Sequence, residues 1–433
     1  MLDINFIRDN QDKVQQNAIN KGVDVSVVDL IKLDDRRREL QAQLDELRQT
    51  RNQIADQIKQ AGKPDQELID KGKAIKEQLT ALEADFNQNY EQYLALLKRV
   101  PNMALDSVPV GLTEDENVLD YQVGEPTKFD FEPKNHYEIA KIRDWIDKER
   151  AAQVAGARFA YLKGDLVKLQ FAIINFVMDI LSDEAVIAQI VRDNNLNIST
   201  KPFMPILPPY MIKTAPYDAM DRLEPREDRY KIEGEDLWLQ GSAEHVLGSM
   251  HAGEIFEEAE LPVRYLGYAT SFRKEAGTYG KDMEGILRMH QFDKLEMETF
   301  TTAEKSHDEH RLLVAIQEYM LKALELPYQV IKKCTFDIGK PNAAGVDMEV
   351  WLPGQGKYRE THTADYMTDY QARRLQTRVR RANGELELIH TNDATAFAIG
   401  RLLIAIIENG QTADAKVKIP TVLQNYLGGR TEI

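Results

Sequence analysis

The chain reads as an α+β protein: an N-terminal antiparallel helical coiled-coil arm, then an antiparallel β-sheet flanked by helices. Three observations point there. Two heptad runs, separated by a breaker, lie within the first 100 residues. Beyond them, β-like runs outnumber those of a βαβ alternation. Neither GxGxxG nor GxxxxGK[ST] occurs, so Rossmann and P-loop sites have no support.

The first heptad run is Leu33, Leu40, Leu44, Leu47, Ile54 and Ile58, with Arg37 and Arg51 in two seam positions. Ala61-Gly62-Lys63-Pro64 breaks it. The second run is Leu68, Ile75, Leu79, Leu82, Phe86, Tyr93 and Leu96. Helices of about 33 residues would reach about 50 Å. Such a narrow seam buries little, which predicts a projecting arm. A dimerising coiled coil is the competing reading. Charge favours RNA: Arg48, Arg51, Lys59, Lys63, Lys71, Lys73 and Lys76 outnumber Asp56, Asp65, Glu67 and Asp70 inside an acidic protein. The arm is expected over residues 1–105. A proline-rich, acidic linker is expected over 106–125, and the catalytic body over 126–433. In the body, helical patterns run Lys168–Leu181, Ala303–Leu324 and Ala394–Asn409. β-like runs are Trp238–Leu239, Val263–Ala269, Leu287–Met297, Asp347–Leu352 and Leu386–Thr391.

Composition sets wide bounds. The 433 residues are 43% hydrophobic with a mean hydropathy of −0.47, enough for two or three domains. No apolar run is long enough to span a bilayer, and MLDINFIRDN lacks the pattern of a signal peptide. A single cysteine, Cys334, excludes an internal disulfide and a cysteine-rich zinc site. A cytoplasmic protein without membrane contact is expected. The net charge of −16 is a whole-molecule average, and nucleic acid responds to local patches.

The segment Thr270–Glu298 carries the most chemistry. An arginine and a glutamate two apart on a strand, Arg273 and Glu275, would share a face. One can hold a phosphate or carboxylate in a fork, and the other can accept from an amine. Gly277 to Gly285 forms a glycine-bearing fold-back, and Phe292 offers a ring for a base. Alone, such a pair is usually a charged surface hairpin. Here the stretch resembles motif 2 of class II aminoacyl-tRNA synthetases in its seryl-tRNA synthetase form, FRxEAG, loop, RxHQFxKxE. The resemblance extends through most of the chain. Ala396-Phe397-Ala398-Ile399-Gly400-Arg401 is similar to motif 3, Val346–Gln355 to the family's DxEVWxPGQ run, and Asp369–Arg374 to its DFQARR.

This resemblance implies a class II synthetase antiparallel sheet and ATP-dependent activation of serine, followed by transfer to the 3′ end of tRNA(Ser). It implies that Arg273 meets the α-phosphate and the amino-acid carboxylate, and that Glu275 reads the adenine amine. Arg288 and Arg401 would hold the γ-phosphate, and Phe292 would stack on the base. Glu360 and Thr363 would ligate Mg2+, with Glu360 thereby part of the ATP site. Ser242, Glu244, Arg273, Glu296, Asp393 and Thr395 would hold serine. The arm would take tRNA(Ser), with tRNA(Sec) left open. Motif 1, around Met204–Tyr210, implies a homodimer. His290 and His362 lack metal-ligand spacing and are expected to be structural, His290 alternatively meeting the ATP tail.

The chain departs from the family around the amino acid. Ser242-Ala243-Glu244 replaces Thr-Ala-Glu, and Asp393-Ala394-Thr395 replaces Asn-Gly-Ser. Thr363-Ala364-Asp365-Tyr366 stands for Ser-Cys-Ser-Asn. Thr214–Asp218 and Glu224–Asp228 occupy the place of a GTGQLP stretch. Two alternatives remain beside a divergent serine enzyme: a synthetase paralogue for a related amino acid, and a non-catalytic tRNA-binding protein on the same fold.

Overall fold

The computed structural model describes residues 1–60, 66–275 and 285–433. It divides into two units, Met1–Met103 and Ala104–Ile433.

In the first unit, helices α1 (Ile4–Asp9) and α2 (Gln11–Asn20) precede two long ones, α3 (Val27–Gln60) and α4 (Gln66–Arg99). Asp3 caps α1 by accepting from the Asn5 and Phe6 amides. Each long helix has 34 residues, about 51 Å at the α-helical rise. They pack side by side and antiparallel, since Arg48 pairs with Glu83 and Arg37 lies over the Tyr93 ring. Leu40, Leu44, Leu79 and Tyr93 are buried in the seam. Near its end the burial moves one position: Leu97 is buried and Leu96 only half so. Asp34, fully buried, accepts from Arg8 and Arg37 at 2.9 and 2.7 Å, which makes its charge tolerable. The expected breaker Ala61–Pro64, with Lys63, lies outside the described residues.

The second unit is built on an eight-stranded sheet. Its strands in chain order are β1 (Val118–Val123), β2 (Met204–Ile206), β3 (Val263–Phe272), β4 (Gln291–Thr301), β5 (Tyr328–Lys332), β6 (Ala344–Leu352), β7 (Lys357–Thr368) and β8 (His390–Ala398). The spatial order is β1-β5-β6-β7-β8-β4-β3-β2, antiparallel except for the parallel β2–β3 edge. Helices α5 (Asp165–Ser182), α6 (Ala303–Ala323) and α7 (Ile399–Gly410) supply apolar side chains to the same core cluster as the central strands.

Two expectations need correction. Within the supposed linker 106–125, Val118–Val123 is the edge strand β1, paired with β5. Ala394–Ala398 is strand rather than helix, because β8 pairs with both β7 and β4; α7 begins at Ile399.

The strand period of two sorts chemistry from core. Leu295 and Met297 of β4, Ala364 of β7 and Ala394 of β8 belong to the apolar cluster. Their neighbours Lys294, Glu296, Glu298, Thr363, Asp365, Asp393 and Thr395 take the other face. Gln317 of α6 donates to the carbonyls of both Thr363 and Thr395 at 2.8 Å, tying β7 and β8 at the level of the site.

A buried ion pair steadies β3 against α6. Arg264 meets Glu309 in a fork at 2.9 and 2.7 Å and also donates to the Lys201 and Ser199 carbonyls; both side chains are buried. Glu309→Leu leaves that guanidinium without its carboxylate. The expected loss is about 3–5 kcal/mol for the second unit, read as an earlier unfolding transition in urea.

Candidate active site

Arg273, Glu275, Arg288, Phe292, Lys294, Glu360, Thr363, Thr395 and Arg401 line one cavity of about 120 Å3. Arg273 stands one residue past the end of β3. Its amide donates to the His290 carbonyl and its Nε to the Gly241 carbonyl at 2.9 Å, which orients the guanidinium. That group lies 5.4 Å from the centre of the Phe292 ring. Glu275 is not on the strand as the alternation suggested: its φ is 52°, a left-handed position that ends extended pairing. It nevertheless reaches Arg288 at 3.3 Å. The expected fold-back from Gly277 lies outside the described residues up to Gly285.

Across the cavity, Arg401 projects from the first turn of α7. It donates to the side chain of Glu360 at 3.0 Å and to its backbone carbonyl at 2.9 Å. A register shift opposite Met348 and Glu349 puts an extra residue into β7. This brings Glu360 and Thr363, three apart, onto the one cavity. Asp347 stands directly opposite Thr363, whose hydroxyl helps hold the Asp347 carboxylate. Two or three hard oxygen donors on one cavity wall suit a magnesium ion.

Lys294 joins this cavity to a second group. Its Nζ lies 2.5 Å from Glu296 and 3.1 Å from the Ser242 hydroxyl. Ser242 donates to Glu296 at 3.1 Å. Arg222 enters from the segment between residues 214 and 228, reaching Glu244 at 3.2 Å, Asp393 at 3.4 Å and Asp365 at 3.7 Å. Asp365, Asp393 and Glu298 sit directly opposite one another across β7, β8 and β4, three carboxylates in one cross-strand row. Like charges so placed repel.

Their ionisation reflects this crowding. Burial works against Glu244, but Arg222, His245 and Lys294 together outweigh it and hold that carboxyl well below the usual range. Burial raises Glu296 to about 7, with Lys294 pulling down and Glu244 pushing up. Burial and the adjacent Asp393 drive Glu298 well above the usual carboxylate range. Burial and Glu244 do the same to Asp393, against Arg222.

The structure therefore gathers the residues expected to meet ATP and those expected to meet the amino acid into adjoining clusters. The histidines do not join as ligands. His290 Nδ1 is 3.0 Å from the Arg273 carbonyl. His362 is fully buried against Thr361 and the Phe397 ring, its pKa lowered to about 3 mainly by burial. Arg48, Arg51, Lys59, Lys71, Lys73 and Lys76 are exposed on α3 and α4; Arg48 and Lys71 have acidic partners. Sequence reasoning missed Arg222, Lys294, Glu298 and Asp365. Lys294 was available in the HQFxKxE pattern, and Arg222 lay in a segment already noted as departing from the family.

Comparison with known proteins adds independent findings. Residues 1–104 match the family model described as seryl-tRNA synthetase N-terminal domain. Residues 228–410 match tRNA synthetase class II core domain (G, H, P, S and T). The chain is 37% identical to a serine–tRNA ligase of Nitrosopumilus maritimus over the whole of both chains. It is also 37% identical to that of Thermodesulfovibrio yellowstonii over 99% of each. The crystal structure of seryl-tRNA synthetase from Pyrococcus horikoshii complexed with ATP superposes with a TM-score of 0.88 at 36% identity, covering 100% of this chain and 99% of that one. The cytoplasmic serine–tRNA ligase of Naegleria fowleri in complex with AMP gives 0.84 at 29% identity, covering 100% and 98%.

Proposed function

This chain belongs to the seryl-tRNA synthetase family, and we propose that its two adjoining clusters bring serine and ATP together. The activity is that of a serine–tRNA ligase: serine and ATP give seryl-adenylate and pyrophosphate, and the seryl group passes to the 3′ end of tRNA(Ser). The observation that carries the site assignment is the convergence of Arg273, Glu275, Arg288, Phe292, Glu360 and Arg401 on one cavity, next to Ser242, Glu244 and Glu296.

Activation brings a carboxylate against the α-phosphate, so two anions must approach. Arg273, at the boundary between the clusters, lowers that repulsion, and Arg288 and Arg401 hold the distal phosphates. Phe292 and Glu275 take the base. Glu360 and Thr363 would hold Mg2+, which supplies charge neutralisation on the phosphates when bound. Glu244 and Ser242 receive the serine ammonium; Glu296, Asp393 and Thr395 face its side chain. No general base is needed, because the attacking carboxylate is already ionised and the arrangement acts by position and field.

Glu296 gives a pH signature. Below about 7 it carries a proton; above, it is an anion that attracts the substrate. The KM for serine in pyrophosphate exchange should therefore fall as pH rises from about 6 to about 8. In Glu296→Gln that slope should disappear. A flat wild-type profile would remove Glu296 from substrate binding.

Further parts of the reading concern assembly. Met204, Leu207, Tyr210 and Met211, around the β2 edge, are exposed apolar residues, and their place at motif 1 supports a homodimer. Sedimentation of the purified protein tests it. The exposed basic side chains of α3 and α4 are the proposed tRNA contacts, and tRNA(Sec) is a proposed second RNA substrate, tested by charging it beside tRNA(Ser). The cytoplasm is the proposed place of action; among the described residues no helix is long and apolar enough to cross a membrane.

A further inference from the structure

We propose that the amino-acid pocket also accepts a small α-amino acid carrying a second amine on its side chain, of the 2,3-diaminopropionate class, and activates it with ATP. This rests on the serine-activating reading of the same pocket.

The argument begins with charge. Five carboxylates crowd the pocket: Glu244, Glu296, Glu298, Asp365 and Asp393, each buried. Two cationic side chains form ion pairs with them among the described residues, Arg222 and Lys294, and Lys333 also acts on Asp365. The nearby Lys333 faces Asp347 at 3.7 Å, and Arg401 is engaged by Glu360. Serine brings one ammonium, and with it Glu298 and Asp393 stay protonated for want of a cation of their own. A diamine brings two. An unpaired buried carboxylate is expensive to ionise, so a substrate that supplies the missing cation gains what a neutral hydroxyl cannot.

Geometry says where that cation would sit. Side-chain oxygens of Glu244, Glu296 and Asp393 lie within 4.8 Å of one another. A nitrogen at the centre of such a triangle is at most about 2.8 Å from each oxygen, within the reach of a charge-assisted hydrogen bond. A magnesium ion prefers about 2.1 Å and a nearly octahedral shell.

A second observation is independent of the triangle. Behind it, Glu298 is fully buried, and neither of its carboxylate oxygens has a hydrogen-bond partner among the described residues. Its cross-strand neighbour Asp393 has one oxygen in the same condition. Buried polar atoms are almost always paired; these point to a donor that arrives with the ligand. Serine carries one hydroxyl hydrogen, whereas an ammonium at the same carbon donates three. The floor is fully buried, so long basic side chains such as lysine's do not fit.

The reaction matches that of serine. An oxygen of the substrate carboxylate forms a bond to the α-phosphorus, the bond from that phosphorus to the bridging oxygen breaks, and pyrophosphate leaves with the electron pair. No proton or redox partner is required.

The test is ATP–pyrophosphate exchange by the full-length protein with serine, 2,3-diaminopropionate, alanine and lysine in parallel. The expected result is exchange with serine and with diaminopropionate, the latter within about tenfold of serine in kcat/KM, and none with lysine. In Glu298→Gln, an isosteric change, the diaminopropionate-to-serine ratio of kcat/KM should drop roughly tenfold or more. Asp393→Asn should lower the same ratio and serves where the first variant fails to fold. Exchange with serine alone, or diaminopropionate no better than alanine, overturns the inference and leaves the serine reading intact. An unchanged ratio in both variants also overturns it. Silence with every amino acid overturns both readings.

Discussion

Arg273→Ala lowers serine-dependent pyrophosphate exchange by roughly a hundred- to a thousandfold or more, the scale seen when one preorganised donor is removed from a charge-stabilising site. The loss should fall mainly on kcat. On the proposed reading Arg273 faces the point where carboxylate and phosphate meet, and its guanidinium is fixed beforehand by the Gly241 carbonyl and the Phe292 ring. Lysine does not replace it well, because one ammonium cannot both lie over the ring and grip two oxygens. Circular dichroism and the unfolding transition should match the parent, since the side chain lines a cavity and not the core. Near-normal exchange in this variant would displace the whole ATP assignment.

Shortening the α3–α4 hairpin separates the two halves of the activity. Arg37 over Tyr93 marks where the helices face each other. Joining residue 40 to residue 90 through a short glycine-rich turn keeps that pair and removes the exposed basic side chains beyond it. Aminoacylation of tRNA(Ser) should fall on the order of a hundredfold, as expected when several phosphate contacts are lost. Serine-dependent pyrophosphate exchange should stay at the parent level. The residual charging should also lose much of its salt dependence. Equal loss of exchange and charging would contradict a division of labour between the two units.

Much of this molecule was legible in its sequence, for reasons that differ by region. The long helices declare themselves because a heptad period is local, and the seam moved at its two ends, from Leu33 to its buried neighbours Leu30 and Asp34 and from Leu96 to Leu97. β3 and β6 were visible as alternating runs. β8 was not: an apolar stretch such as AFAIGRLLIAII cannot tell strand from helix, and the decision rests on pairing with β4 and β7 across long sequence separations. The ATP side of the site was readable from motif resemblance. Arg222 was not, because the residue that reveals its role, Asp393, lies 171 positions away. Glu298 carries no distinguishing signal in the sequence; only the assembled row shows that its face is covered.

The alternation along β4, β7 and β8 has a consequence for how such a pocket can change over time. Glu296 and Thr395 are each flanked by neighbours that belong to the apolar wall, Leu295 and Met297 around the first and Ala394 and Ala396 around the second. A point substitution on the substrate side leaves that wall untouched. A single inserted or deleted residue within these strands would exchange the two faces, placing carboxylates in the wall and leucines in the pocket. Divergence of selectivity is therefore channelled into replacements at fixed chain length within these strands. Changes of length are left to the connecting segments, such as the one between residues 214 and 228 that delivers Arg222.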